Sequence, residues 1–144
     1  MGTRSNIAYQ KKNGEVVAMY CHYDGYPEYN GVILNNHYAT EDKAIALVDN
    51  GYQSNLKETV ERSNIYREHE DAPVTYRSMY AFLVSLNFDI EWIYLFKNGR
   101  WYLAETELIS IPNGMRGYDL KLLNDTDFLP LNYYLYERNL ANQG

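Results

Sequence analysis

The sequence predicts an α+β domain: a small antiparallel sheet built from β-hairpins, with helices packed on one face. Three observations predict it. Two Asn-Gly steps, Asn13-Gly14 and Asn98-Gly99, stand between strand-forming runs, as hairpin turns do. Between them the apolar spacing lengthens from the strand period to the helical one. A chain of 144 residues, 46% hydrophobic and 22% charged, is one globular domain's worth, and no linker or internal repeat divides it. Residues 1–144 therefore read as a single domain.

The elements follow in chain order. A two-residue turn at Asn13-Gly14 would pair Ile7 with Tyr20, Tyr9 with Ala18 and Lys11 with Val16 on one face. The other face would pair Ala8 with Met19, Gln10 with Val17 and Lys12 with Glu15. Thr40 caps a helix whose first turn carries Glu41 and Asp42, whose inner stripe is Ala44, Leu47 and Val48, and which Asn50-Gly51 stops. Residues 52–72 are polar and charged and read mainly as a solvated excursion, with room for a frayed helix from Leu56. A second helix is expected over 76–87, with Met79, Phe82, Leu83 and Leu86 on one stripe. The second hairpin pairs Phe96 with Trp101, Tyr94 with Leu103 and Leu95 with Tyr102. Both of its faces are apolar, which puts it inside the sheet. Ile111-Pro112-Asn113-Gly114 reads as a turn, and the tail from Leu131 to Leu140 fits a helix, although Tyr133-Tyr134-Leu135-Tyr136 fits a strand as well.

Composition excludes several function classes. A net charge of -6 and a pI near 5.0 disfavour general binding to nucleic acid or to anionic membranes. The single cysteine, Cys21, rules out an internal disulfide framework and a Cys-x-x-Cys zinc site. No apolar run approaches the roughly 18 residues of a membrane-spanning helix. The N-terminus has no charged-then-apolar signal pattern, so the expected compartment is cytoplasmic. No P-loop or Rossmann spacing occurs, and no cofactor is expected.

The composition outlier is tyrosine, with 16 residues against 4 phenylalanines. A tyrosine ring buries well while its hydroxyl needs a partner, so the excess fits either a core with polar tips or a recognition surface. The densest cluster is Cys21-His22-Tyr23-Asp24-Gly25-Tyr26-Pro27-Glu28-Tyr29-Asn30-Gly31, followed by His37-Tyr38. It directly follows the first hairpin, as a ligand loop held by a rigid strand would. Its metal-ligand types match no zinc spacing, and Cys21 and His22, neighbours on a strand, face opposite sides, against both a metal site and a Cys–His dyad. Arg4 falls near this loop and would bring a cation to the rings, or simply pair with Asp24 or Glu28. His69, inside a charge run, reads as solvated.

An opening of Met1-Gly2-Thr3-Arg4-Ser5, then Cys21-His22-Tyr23-Asp24-Gly25-Tyr26-Pro27, Asn30-Gly31-Val32-Ile33-Leu34 and His37-Tyr38, resembles a family of small proteins of tailed phages and prophages. The likeness covers roughly residues 1–50, weakens over 52–90 and resumes loosely at Trp92–Trp101. Members of that family often carry tryptophan where this chain has Tyr23, which keeps a ring and changes its donor. The resemblance implies a phage origin and the cytoplasm of an infected bacterial host. It implies no particular reaction.

Two functions compete. The leading one is a non-enzymatic host-takeover or anti-defence protein that captures a nucleotide-like small molecule or a host protein. Its expected site is Arg4, His22, Tyr23, Asp24, Tyr26, Asn30 and His37. The alternative is a small hydrolase or nucleotide-processing enzyme, with His22 or His37 as base and Asp24 or Glu28 as partner. DNA mimicry is disfavoured because 13 basic residues accompany the 19 acidic ones. The abundance of tyrosine leaves homo-oligomerisation open. The leading function requires that the 21–31 loop turn its polar tips outward.

Overall fold

The computed structural model describes residues 2–110 and 117–139, so the turn expected at Ile111-Pro112-Asn113-Gly114 lies outside the described residues. β1 (Arg4–Gln10) and β2 (Val16–Cys21) form the first hairpin, with Ile7 opposite Met19 and Tyr9 opposite Val17. This is one residue off the expected register. The loop has three residues, not two: Lys11 N–H donates to Glu15 O (2.8 Å) and Gly14 N–H to Lys11 O (2.9 Å). Only Gly14 is left-handed, at φ 97°. Asn13 avoids that region because its side-chain carbonyl accepts from Glu15 N–H (3.0 Å) and so closes the turn itself. The result is a bulged turn instead of a two-residue one.

β4 (Ile90–Lys97) and β5 (Arg100–Glu105) form the second hairpin in the expected register, Phe96 opposite Trp101 and Leu95 opposite Tyr102. Here both turn residues are left-handed, Asn98 at φ 51° and Gly99 at 82°, as a two-residue turn demands. The hairpin is central, and β1 pairs with β4 in parallel. With β3 (Val74–Tyr76) and β8 (Leu129–Pro130) the main sheet runs β3-β2-β1-β4-β5-β8. A separate ribbon joins β6 (Leu108–Ser110) to β7 (Tyr118–Leu120). The class is α+β and the pairing mostly antiparallel. The parallel centre arises because the two hairpins are joined by a helical crossover, and both central strands are buried on both faces.

The larger core packs α1 (Val32–His37), α2 (Glu41–Asp49) and α5 (Leu131–Glu137) against Ile7, Tyr9, Met19, Tyr94, Phe96 and Leu103. α2 is the helix expected after Thr40, whose hydroxyl accepts from Lys43 N–H. Leu131 and Leu135, four apart and fully buried, settle the tail as helix. The opposite face also carries a helix, α4 (Met79–Val84), whose Phe82 and Leu83 join Ala8, Val16, Ala18, Ile93 and Leu95. α4 is shorter than the expected 76–87 helix. Ser78 caps it by accepting from Ala81 N–H (3.0 Å), while Val74–Tyr76 is drawn into the sheet edge. The apolar stripe is the one the spacing implied.

The solvated excursion expected over 52–72 is corrected at its start, whereas most of residues 57–72 are exposed as expected. Tyr52, Gln53, Ser54 and Leu56 are buried, and α3 (Val60–Ile65) starts at a Thr59 cap. Gln53 N–H donates to Tyr20 O (3.1 Å), His22 N–H to Gln53 O (3.0 Å) and Tyr23 N–H to Ser54 O (2.9 Å), so the segment extends the sheet beside the end of β2. Gly51 (φ 85°) permits this, because a side chain there would strike the Asp71 carbonyl. Among the described residues no helix is long and apolar enough to cross a membrane.

Tyrosine hydroxyls hold these irregular segments. Tyr94, fully buried in β4, donates to Gly25 O (2.6 Å). Replacing Tyr94→Phe leaves that buried carbonyl without its donor and is expected to lower stability by about 1–3 kcal/mol, read as a shifted urea midpoint at unchanged slope.

Candidate functional site

Residues 21–31 leave β2, turn at Asp24 (φ 58°) and enter a wide π-type turn, Pro27–Gly31, that runs into α1. Gly25 N–H donates to Thr3 O (2.8 Å), and a Cβ at Gly25 would meet Thr3 O and Ser5 at under 3.0 Å. The loop is thereby clamped onto the start of β1. Most of its polar tips are spent inside the fold. Asn30 is fully buried and donates to Ser5 Oγ (3.3 Å) and Cys21 Sγ (3.4 Å). Asp24 accepts from Asn55 Nδ2 (2.9 Å) and Tyr26 OH (3.2 Å). Tyr29 OH donates to Leu56 O (3.0 Å). The loop as a whole is thus a structural clamp. Tyr26 and Glu28 are the exposed residues of the loop, and His22 and Tyr23 are half-buried.

Three of the seven expected residues gather elsewhere, around the end of β2. Tyr20 OH and His22 Nδ1 are hydrogen-bonded at 2.8 Å, and the His22 ring meets Tyr23 edge-on, centroids 4.4 Å apart. Tyr20 stacks on Tyr52 at 6.0 Å, and Tyr52 on His69 at 3.8 Å with 22° between planes. The Arg4 guanidinium faces Asp89 (Nε–Oδ2 3.6 Å), not Asp24 or Glu28. Burial pushes the Tyr20 hydroxyl up in pKa, and Arg4 partly offsets it, which places the cation beside that ring. The Glu68 carboxylate likewise raises the Tyr23 hydroxyl. His37 ends α1, away from this array and within electrostatic range of Glu58.

Beside the array lies a cleft of about 490 Å³, a size suited to a small ligand. Its rings are Tyr20, Tyr52 and Tyr76, and its polar groups include Asn6, Ser85, Asn87, Asp71 and Asp89. Each carboxylate has a close neighbour, the Arg4 guanidinium at Asp89 and the His69 imidazole at Asp71 (Nδ1–Oδ2 3.1 Å). Tyr52, Asp71 and His69 come from the segment that reads as solvated in sequence. The signal for them is weak, and only the pairing of Gln53 with β2 brings them in. No hydrogen bond among the described residues joins His22 or His37 to Asp24 or Glu28, so the expected acid–base pair is not assembled. Cys21 has no imidazole partner, and burial pushes its thiol up to about 11. Among the described residues no group of three or more His, Cys, Asp or Glu side chains is arranged to hold a metal ion.

Comparison of the chain with protein-family models, with curated proteins and with solved structures finds no match. The site therefore speaks through its own geometry.

Alkaline titration tests how these groups are held. Burial raises Tyr38 to about 12, and burial together with the Asp49 acceptor raises Tyr9 to about 12. In the unfolded chain the thiol ionises near 9 and the phenols near 10, before their folded counterparts. Their contribution is intact below about pH 9 and is lost as pH rises through 9 to 12. Urea midpoints are expected to fall steadily over that window, less steeply in Tyr9→Phe above pH 10. A flat profile would contradict the burial described.

Proposed function

We propose that this chain is a non-enzymatic binding protein that captures a nucleotide-like small molecule in the Tyr20–Tyr52 cleft. The observation that carries the reading is the ring array from Tyr23 to His69, whose Tyr20 and Tyr52 line a cleft that also presents amides and carboxylates. A nucleobase stacks on tyrosine whatever its sequence of donors, and such stacking is worth about 1–3 kcal/mol per base. Asn6 and Asn87 offer both a donor and an acceptor to a base edge. Asp71 and Asp89 accept from ribose hydroxyls or exocyclic amines, and Arg4, beside Asp89, supplies a cation for a phosphate. The phage and host-cytoplasm setting implied by the sequence resemblance makes a host-takeover or anti-defence role the biological form of this capture.

A second reading has one observation of its own. The His69 Nδ1 lies 3.1 Å from Asp71 Oδ2 while the ring stacks on Tyr52, which sets an imidazole beside a carboxylate as a general base requires. A small hydrolase would therefore use His69, not His22 or His37.

Calorimetric titration with adenosine and guanosine 5′-monophosphates checks both. Capture predicts ligand recovered intact after the protein is denatured, and about tenfold or greater weakening of the tighter binding event in Tyr20→Leu. Recovery of a cleaved product, lost in His69→Asn, would replace capture with hydrolysis.

A further inference from the structure

The parallel pairing of β1 with β4 sends both hairpin turns out of the same end of the sheet, opposite to the Tyr20–Tyr52 cleft. Their backbone pairing stops at Tyr9 and Phe96. Beyond it a second cleft of about 600 Å³ opens between the tips, with Glu41 and Ile45 of α2 as its third wall. Three lysines line it, Lys11, Lys12 and Lys97, against the single carboxylate of Glu41. Glu15 takes up Lys11 (3.5 Å), whereas neither Lys12 nor Lys97 has an ion-pair partner among the described residues. In a chain of net charge -6, two lysines without ion-pair partners among the described residues, one on the first hairpin's turn and one at the end of β4, are a local reversal of sign.

We propose that this hairpin-tip cleft is a second binding site, for a small phosphorylated molecule with a compact apolar or ring portion. Lysine serves as a compact point charge for phosphate. The two-residue turn leaves the amides of Asn98 and Gly99 outside the strand ladder, as further donors at the cleft edge. Ile45 and Phe96 give the apolar portion a surface. Both turns are fixed by their own hydrogen bonds and left-handed residues, so the donors are held before a ligand arrives. Glu15 and Glu41 beside the mouth oppose a long polyanion, which excludes nucleic acid in favour of a single phosphate group.

The experiment uses the whole chain and phenyl phosphate, with inorganic phosphate and phenol as the two halves of the probe. Titration calorimetry is expected to show phenyl phosphate binding more tightly than either half, weakening as salt rises. The Lys12→Gln/Lys97→Gln double variant should lose about tenfold or more in affinity, and Lys121→Gln, remote in the β6–β7 ribbon, should lose nothing. Amide shifts in the unaltered protein give a reading that does not depend on any variant folding. They are expected at Lys12, Asn98 and Gly99 and not at Tyr20 or Tyr52. Equal binding of phenol and phenyl phosphate, an unaffected double variant, or shifts confined to the Tyr20–Tyr52 cleft would each overturn the proposal.

Discussion

Irregular backbone buried against a sheet must find hydrogen-bond partners, and the rest of this structure depends on how that requirement is met. Two non-repetitive stretches, 21–31 and 51–57, lie against the core instead of in water. Their carbonyls are collected by aromatic side chains: Tyr94 takes Gly25, Tyr29 takes Leu56, Tyr38 takes Lys57, and Trp101 Nε1 donates to Tyr38 O at 2.8 Å. A phenylalanine in place of any of the three tyrosines would nearly fill the volume and leave an acceptor without that donor. Part of the tyrosine excess thus answers a backbone problem: at Tyr29, Tyr38 and Tyr94 the ring contributes burial and the hydroxyl a stitch.

That same economy moves the candidate site. Asn30 and Asp24 look like ligand groups in sequence, yet both are engaged within the chain. Arg4, His22 and Tyr23 remain at a surface because they stand where β2 ends and the 52–54 segment takes over the pairing. The array they enter is completed by Tyr52 and His69, residues brought in from far along the chain. Tyr52 is the buried centre of that stack, and the half-buried Tyr20 carries it to the cleft beside the carboxylates.

The two clefts are linked by topology. Because β1 and β4 run in parallel, their first residues share one end of the sheet and their turns share the other. One end gathers rings and carboxylates, the other lysines and turn amides. Antiparallel pairing of the same strands would have put one hairpin tip at each end and dispersed the lysines.

What the sequence determined by itself is whatever depends on near neighbours. Thr40 and Gly51 bound α2, Asn98-Gly99 sets its hairpin register, and the stripe at Met79, Phe82, Leu83 and Leu86 marks a buried helix face. Each is a preference of a few adjacent residues, and packing did not oppose it. The tertiary structure decided the rest. Asn13-Gly14 carries the same dipeptide as Asn98-Gly99 but closes through an asparagine side chain, which slips the register by one. Residues 52–57 have a polar composition that suggests solvent, and only the open end of β2, with its unpaired amides and carbonyls, drew them inside. Pairings of this kind satisfy groups distant in the chain, so no local pattern encodes them.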